Sequence, residues 1–271
     1  MSDAPIAIFD SGVGGLTVMA AIAKRLPQER LVYLGDTARL PYGTKSAETV
    51  TRYALQATRA LMRFAPKALV VGCNTASAVA LPALTAAFAP VPVIGVVEPG
   101  ARAAVAASTG NGITVIATEG TVRGGAYLRA IRALSPEARV IQRACPLFVA
   151  LAEEGWTTGP VPEIAASRYL ADIFGSFDRP DTLVLGCTHF PVLAGAIAKA
   201  AGDGITLVDS AATTALETDR VLDDRGLRRN GPAHAPAFLA TDAPERFARV
   251  GSQFLGREIA SDQVELVDFG P

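Results

Sequence analysis

The chain has 271 residues, of which 50% are hydrophobic and 19% charged, enough apolar material for a large buried core in one large or two modest domains. Its 25 basic and 26 acidic residues leave a net charge of -1, which excludes the broad positive footprint of a protein whose main partner is nucleic acid. Apolar runs such as 68–71 and 91–97 are far too short to span a membrane, and no leader-like segment precedes the first strand-like run, so a cytoplasmic protein with no membrane partner is expected.

In chain order, residues 6–9 read as a buried strand that runs into Asp10, Ser11 and a glycine-rich turn, followed by a helix over 16–26. A strand over 31–34 ends at Gly35-Asp36, and the tight turn Pro41-Tyr42-Gly43 can offer backbone N–H groups and a tyrosine to an anion. A helix over 47–64 and a strand over 68–71 lead to Gly72-Cys73-Asn74-Thr75 and a helix over 76–88. Strands at 93–97, 113–117, 139–141, 182–185 and 205–208, with helices at 124–134 and 164–174, carry the alternation onward. Residues 223–237 read as a connection before the last strand and helix pieces. This alternation predicts an α/β fold with mainly parallel sheets flanked by helices, in which ligands sit beyond the carboxyl ends of the strands.

Those strand ends contain an echo. Leu69-Val70-Val71-Gly72-Cys73-Asn74-Thr75 returns 114 residues later as Leu183-Val184-Leu185-Gly186-Cys187-Thr188-His189. A weaker echo aligns Ile6 with Thr114 and Asp10 with Thr118, each a strand entering a small polar turn. Two similar halves related by a pseudo-twofold, with the active site in the cleft between them, are the expectation.

A cysteine directly after a buried strand and before a helix lies where backbone N–H groups and the helix dipole stabilise a thiolate. One such residue could be simple packing; Cys73 and Cys187 in the same setting argue for chemistry. Cys145 precedes Pro146 and follows no strand-end glycine, and is read as structural. Three cysteines without a CxxC pair predict reduced thiols, with no disulfide framework and no metal. Racemisation needs one group to remove a weakly acidic α-proton and another to deliver a proton to the opposite face, and two thiols on opposite walls meet that need. A nucleophilic hydrolase has no use for such symmetry.

Asp10 could assist a neighbouring thiol, although Asp or Ser here could equally cap the helix that follows. His189 could orient or exchange protons with Cys187, or be an ordinary turn residue. Thr75, Thr121 and Thr188 could bind substrate through their hydroxyls; lone threonines at such places are more often caps. Thr17 stands where a dinucleotide fingerprint would have its third glycine, no phosphate loop occurs, and none of the four lysines has a Schiff-base setting. No cofactor is expected.

The segments FDSGVGGLTV, GDTARLPYG, VVGCNTASA, ACPLFVALAEEGW and LGCTHFP together resemble the glutamate racemases of the aspartate/glutamate racemase superfamily. The resemblance implies two α/β domains of similar fold enclosing the substrate, with Cys73 and Cys187 as proton donor and acceptor, and neither metal nor cofactor. It implies Asp10 beside the first thiol and His189 with Glu153 beside the second; alone, Glu153 would be read as a solvated helix carboxylate. Substrate contacts carry over to Asp10, Ser11, Tyr42, Gly43, Asn74, Thr75, Thr121, Thr188 and His189. Ala150 departs from the proline common there in that family, with an altered helix start as the expected consequence. With the echo, the resemblance divides the chain into residues 1–97 plus 210–271, carrying Cys73, and residues 98–209, carrying Cys187. It further implies a homodimer, glutamate as substrate, and D-glutamate supplied to peptidoglycan synthesis. Alternatives are racemisation of aspartate or another small acidic amino acid, a non-catalytic interaction protein such as the gyrase inhibitors among relatives, and a nucleotide-binding oxidoreductase.

Overall fold

The computed structural model describes residues 3–269. Its first part comprises β1 (Ile6–Asp10), α1 (Leu16–Arg25), β2 (Leu31–Gly35), α2 (Ala47–Leu61), β3 (Ala68–Val71), α3 (Asn74–Phe88) and β4 (Val93–Gly95). Helix α4 (Val97–Ala107) leads into β5 (Ile113–Ala117), α5 (Glu119–Gly124), α6 (Ala126–Leu134), β6 (Val140–Ala144), α7 (Leu147–Glu153), α8 (Pro160–Phe174), β7 (Thr182–Gly186), α9 (Ala194–Ala201) and β8 (Thr206–Asp209). Helix α10 (Ser210–Asp224) returns the chain to β9 (Ala237–Ala240), α11 (Pro244–Leu255) and β10 (Val264–Leu266).

The strands form a six-stranded sheet, β10-β9-β2-β1-β3-β4, and a four-stranded sheet, β6-β5-β7-β8, in which every pairing is parallel. β1, β2, β3, β5 and β7 are buried along their whole length, as expected of near-continuous apolar runs covered by helices on both faces. One apolar cluster extends from Ile8 and Leu16 through Phe247 to Leu185 and Phe190, so the two sheets share a core.

The order β2-β1-β3-β4 recurs as β6-β5-β7-β8, which gives the echo a topological basis. Ala7 pairs with Leu69 and Thr114 with Leu183, so the strong echo brings Ala7 into register with Thr114, and Ser11 with Thr118. The weaker sequence echo was therefore one residue out of step: the counterpart of Asp10 is Ala117, not Thr118.

Other expectations are corrected locally. The strand expected over 93–97 stops at Gly95 and Val97 already opens α4, whose Pro99 is tolerated because a first-turn N–H has no intrahelical acceptor. The helix expected over 124–134 is divided by Gly125, whose φ of 62° lies in the left-handed region, and α5 precedes it. The strand expected over 139–141 lies at Val140–Ala144 and takes in polar Gln142 and Arg143, which an edge strand tolerates. The connection expected from 223 begins only after α10 ends at Asp224. Cys145 follows β6, but after Ala144 rather than a glycine, and is fully buried among the apolar side chains of the shared core.

Candidate functional site

The carboxyl ends of β1, β3, β5 and β7 face a cavity of about 370 Å³, lined among others by Ser11, Tyr42, Gly43, Cys73, Asn74, Thr75, Glu153, Cys187, Thr188 and His189. These are the sequence-predicted site residues except Asp10 and Thr121, both buried behind the wall. A second recess of about 600 Å³ lies beside α4 and α10, away from both candidate thiols, which line the smaller cavity. Among the described residues, no three His, Cys, Asp or Glu side chains are grouped to hold a metal ion, and no helix is long and apolar enough to cross a membrane.

Cys73 is the N-cap of α3: its Sγ accepts from Ala76 N–H at 3.4 Å and lies 3.4 Å from Ser11 Oγ. Burial pushes the Cys73 thiol up to about 12, Asp10 adds to the push, and the Ser11 and Ala76 hydrogen bonds oppose it. Asp10 does not cap α1, whose N-cap Gly15 has no side-chain bond; its Oδ2 instead accepts from Gly12 N–H at 2.9 Å. Burial raises the Asp10 carboxyl above its usual range, against the pull of His189 and of the Gly15, Gly12 and Ser11 N–H groups.

Cys187 has a different surrounding. Its Sγ lies 3.9 Å from His189 Nδ1, His189 Nε2 lies 3.2 Å from Glu153 Oε1, and Arg246 donates to Glu153 Oε2 at 3.1 Å. Burial alone would lower the His189 pKa, but the Cys187 and Glu153 interactions outweigh it and lift the imidazole to about 10. Burial would raise Glu153, yet His189 and Arg246 hold it below the usual range. The imidazolium is thus a counter-ion beside the second thiol. Nothing in the sequence near Glu153 signals Arg246, which comes from a helix 93 residues further along the chain.

Contacts across the two halves close the cavity. Thr75 Oγ1 lies 3.0 Å from Thr118 Oγ1 and 3.3 Å from Thr121 Oγ1, while Asn74 Nδ2 donates to Tyr127 Oη at 2.8 Å. Thr118, not Thr75 or Thr121, is the cap: its Oγ1 accepts from Thr121 N–H at the start of α5. It lines the cavity and was missed by sequence reasoning, although its register with Ser11 could have found it. Gly14 permits the close approach of the α1 turn to the Cys187 loop, since a Cβ there would stand 2.4 Å from His189 Nδ1. Tyr42 was expected to serve an anion, but its hydroxyl donates to the buried Asp36, which Arg39 also grips at 2.8 Å. Tyr42 therefore fixes the turn that lines this side of the cavity. Ala150 lies within α7, not at its start, and lines the cavity.

The family model described as Asp/Glu/Hydantoin racemase matches residues 13–218. A glutamate racemase of Geobacter metallireducens is 50% identical over 258 residues, covering 94% of this chain and 93% of its own. Among solved structures, a glutamate racemase isoform from Bacillus anthracis is similar with a TM-score of 0.91 at 35% identity, over 99% of this chain and 98% of that one. The Francisella tularensis glutamate racemase, solved in complex with D-glutamate, is similar with a TM-score of 0.91 at 33% identity over 99% of each chain.

Proposed function

The chain belongs to the Asp/Glu/hydantoin racemase family, and from that premise we propose that it interconverts L- and D-glutamate by proton transfer between Cys73 and Cys187, without cofactor. The observation that carries the reading is that the two thiols line one cavity from equivalent strand ends of two sheets. Substrate enters with its α-carbon between them. In the L-to-D direction the Cys187 thiolate, with the His189 imidazolium as counter-ion, takes the α-proton. The Cys73 thiol, kept protonated by burial and by Asp10, delivers its proton to the opposite face. The product leaves Cys187 protonated and Cys73 as thiolate, the state needed for the reverse direction, and exchange with solvent resets the pair.

The carbanion-like intermediate and the substrate's carboxylates need donors. The N-terminal turns of α3 and α5, with the hydroxyls of Ser11, Thr75, Thr118 and Thr188 and the Asn74 amide, supply them, and Tyr42 and Gly43 contribute through their turn. Asp10 and Thr121 act from behind, Asp10 on Cys73 and Thr121 by orienting Thr75 and Thr118. Glu153 and His189 serve Cys187. Two domains, 1–97 with 210–271 and 98–209, would carry one thiol each.

The D-glutamate formed would feed peptidoglycan synthesis, and so cell-wall biogenesis and cell shape. The cytoplasm as compartment and a homodimer as assembly belong to the same proposal. Loss of optical rotation in a solution of L-glutamate with purified protein alone tests the activity; an equal or faster loss with L-aspartate would replace glutamate as the substrate.

A further inference from the structure

Helix α11 lies in the chain between two strands of the six-stranded sheet and packs along α1, yet it supplies two side chains to the polar chain that ends at Cys187. Arg246 Nη2 lies 3.1 Å from Glu153 Oε2, and the other oxygen of the same carboxylate lies 3.2 Å from His189 Nε2. Phe254, eight residues on and on the same side of the helix, meets the His189 ring edge to face, with centroids 5.1 Å apart and planes at 72°. Glu153 and His189 belong to the other sheet's half, so this chain of contacts is complete only with the halves together.

We propose that Arg246 is a positioning residue for proton transfer at Cys187: its guanidinium fixes the Glu153 carboxylate so that the free oxygen receives His189 Nε2–H and the ring's Nδ1 stays aimed at the thiol. A carboxylate held at both oxygens by charged donors cannot swing about its terminal bond, whereas one held by an imidazole alone can. Phe254 limits rotation of the ring itself. Arg246 touches neither thiol and does not line the cavity, so its effect on chemistry passes through Glu153.

The inference rests on the racemase reading for its activity arm, and a second arm is independent of it. Arg246→Gln is expected to lower kcat about tenfold, the scale for loosening one charged hydrogen bond on a half-exposed flank, with KM changed less than about twofold. Arg246→Lys should recover most of the loss. In a Glu153→Gln background the same Arg246→Gln change should have no further effect, because the two act as one unit. Independently of turnover, the rate of iodoacetamide alkylation at Cys187 in the Cys73→Ala/Cys145→Ala protein should fall severalfold when Arg246→Gln is added. Circular dichroism verifies the fold of each variant, with Arg246→Met as the replacement if Gln is not tolerated. An unchanged alkylation rate, or a kcat loss of the same size with Glu153→Gln in place, would overturn the role of Arg246. A wild-type protein inert towards glutamate would overturn the racemase reading alone, leaving alkylation to judge Arg246.

Discussion

Asp10 and Ala117 occupy the same register position in the two sheets, each the last residue of its strand and a step before a cavity-lining hydroxyl, Ser11 in one half and Thr118 in the other. The pseudo-symmetry therefore stops at the charged groups. Cys73 has a buried carboxyl behind it, and Cys187 has an imidazole, a carboxylate and a guanidinium in series.

That asymmetry predicts different consequences for Asp10→Asn and His189→Asn. Each should lower kcat about a hundredfold, the lower end of what acid and base assistance contributes. Because the equilibrium constant of racemisation is unity, kcat/KM must fall equally in both directions. The difference should appear in primary isotope effects: Asp10→Asn enlarges the effect for α-deuterated D-glutamate, and His189→Asn enlarges it for the L enantiomer. The reverse pattern would exchange the two thiols' assignments.

His189 also predicts a pH dependence of stability. Its folded-state pKa, raised to about 10, exceeds the ordinary value of about 6.5, so the folded protein binds this proton more tightly. The contribution is fully present below about pH 6.5 and is lost as pH rises through about 10. The melting-temperature advantage of wild type over His189→Asn should shrink across that window. A gap that widens with rising pH would mean that the imidazole is neutral in the folded protein.

Away from the cavity, Lys67 Nζ lies 2.5 Å from Glu29 Oε2 and also donates to Leu227 O, with both charged side chains almost completely buried. Glu29 Oε1 accepts from Arg229 N–H, so the pair fastens the segment after α10 to the end of the loop before β2. Lys67→Met leaves a buried carboxylate without its cation and should cost about 3 kcal/mol of unfolding free energy. Chemical denaturation measures it; a change under about 0.5 kcal/mol would mean that the carboxylate is rescued by water or neutralised.

Iodoacetamide should inactivate the enzyme, and glutamate should protect it, because the cavity thiols are reached from the substrate's side. Cys145 is fully buried and does not line the cavity, so it should react last. Mass spectrometry of partially modified protein gives the order, and Cys145 modified first would contradict it.

The strands around the site were legible because residues 6–9, 68–71, 113–117 and 182–185 are short β-branched runs closed by small polar residues, the pattern of strands buried on both faces. The two thiols were legible because their local settings repeat. β9 and β10 were not locatable: Ala-Phe-Leu-Ala and Val-Glu-Leu are too short to show a period, and they become strands by pairing, β9 with β2 and β10 with β9 at the sheet edge. Thr118 was obscured by a one-residue slip that only the strand register corrects, and Arg246 by distance, since nothing local to α11 announces a carboxylate from α7. Tyr42 shows the converse, a residue correctly located whose hydroxyl is taken by Asp36.

The central claim is that both thiols are required, one for each face of the α-carbon. The most direct test follows L- and D-glutamate separately in heavy water with wild type, Cys73→Ala and Cys187→Ala, resolving the enantiomers by chiral chromatography and their α-deuterium by mass. Wild type should form the opposite enantiomer already deuterated in the first turnovers, and neither folded variant should form it at all. Sustained racemisation by either variant, or early wild-type product that keeps the original α-proton, would contradict the two-thiol account.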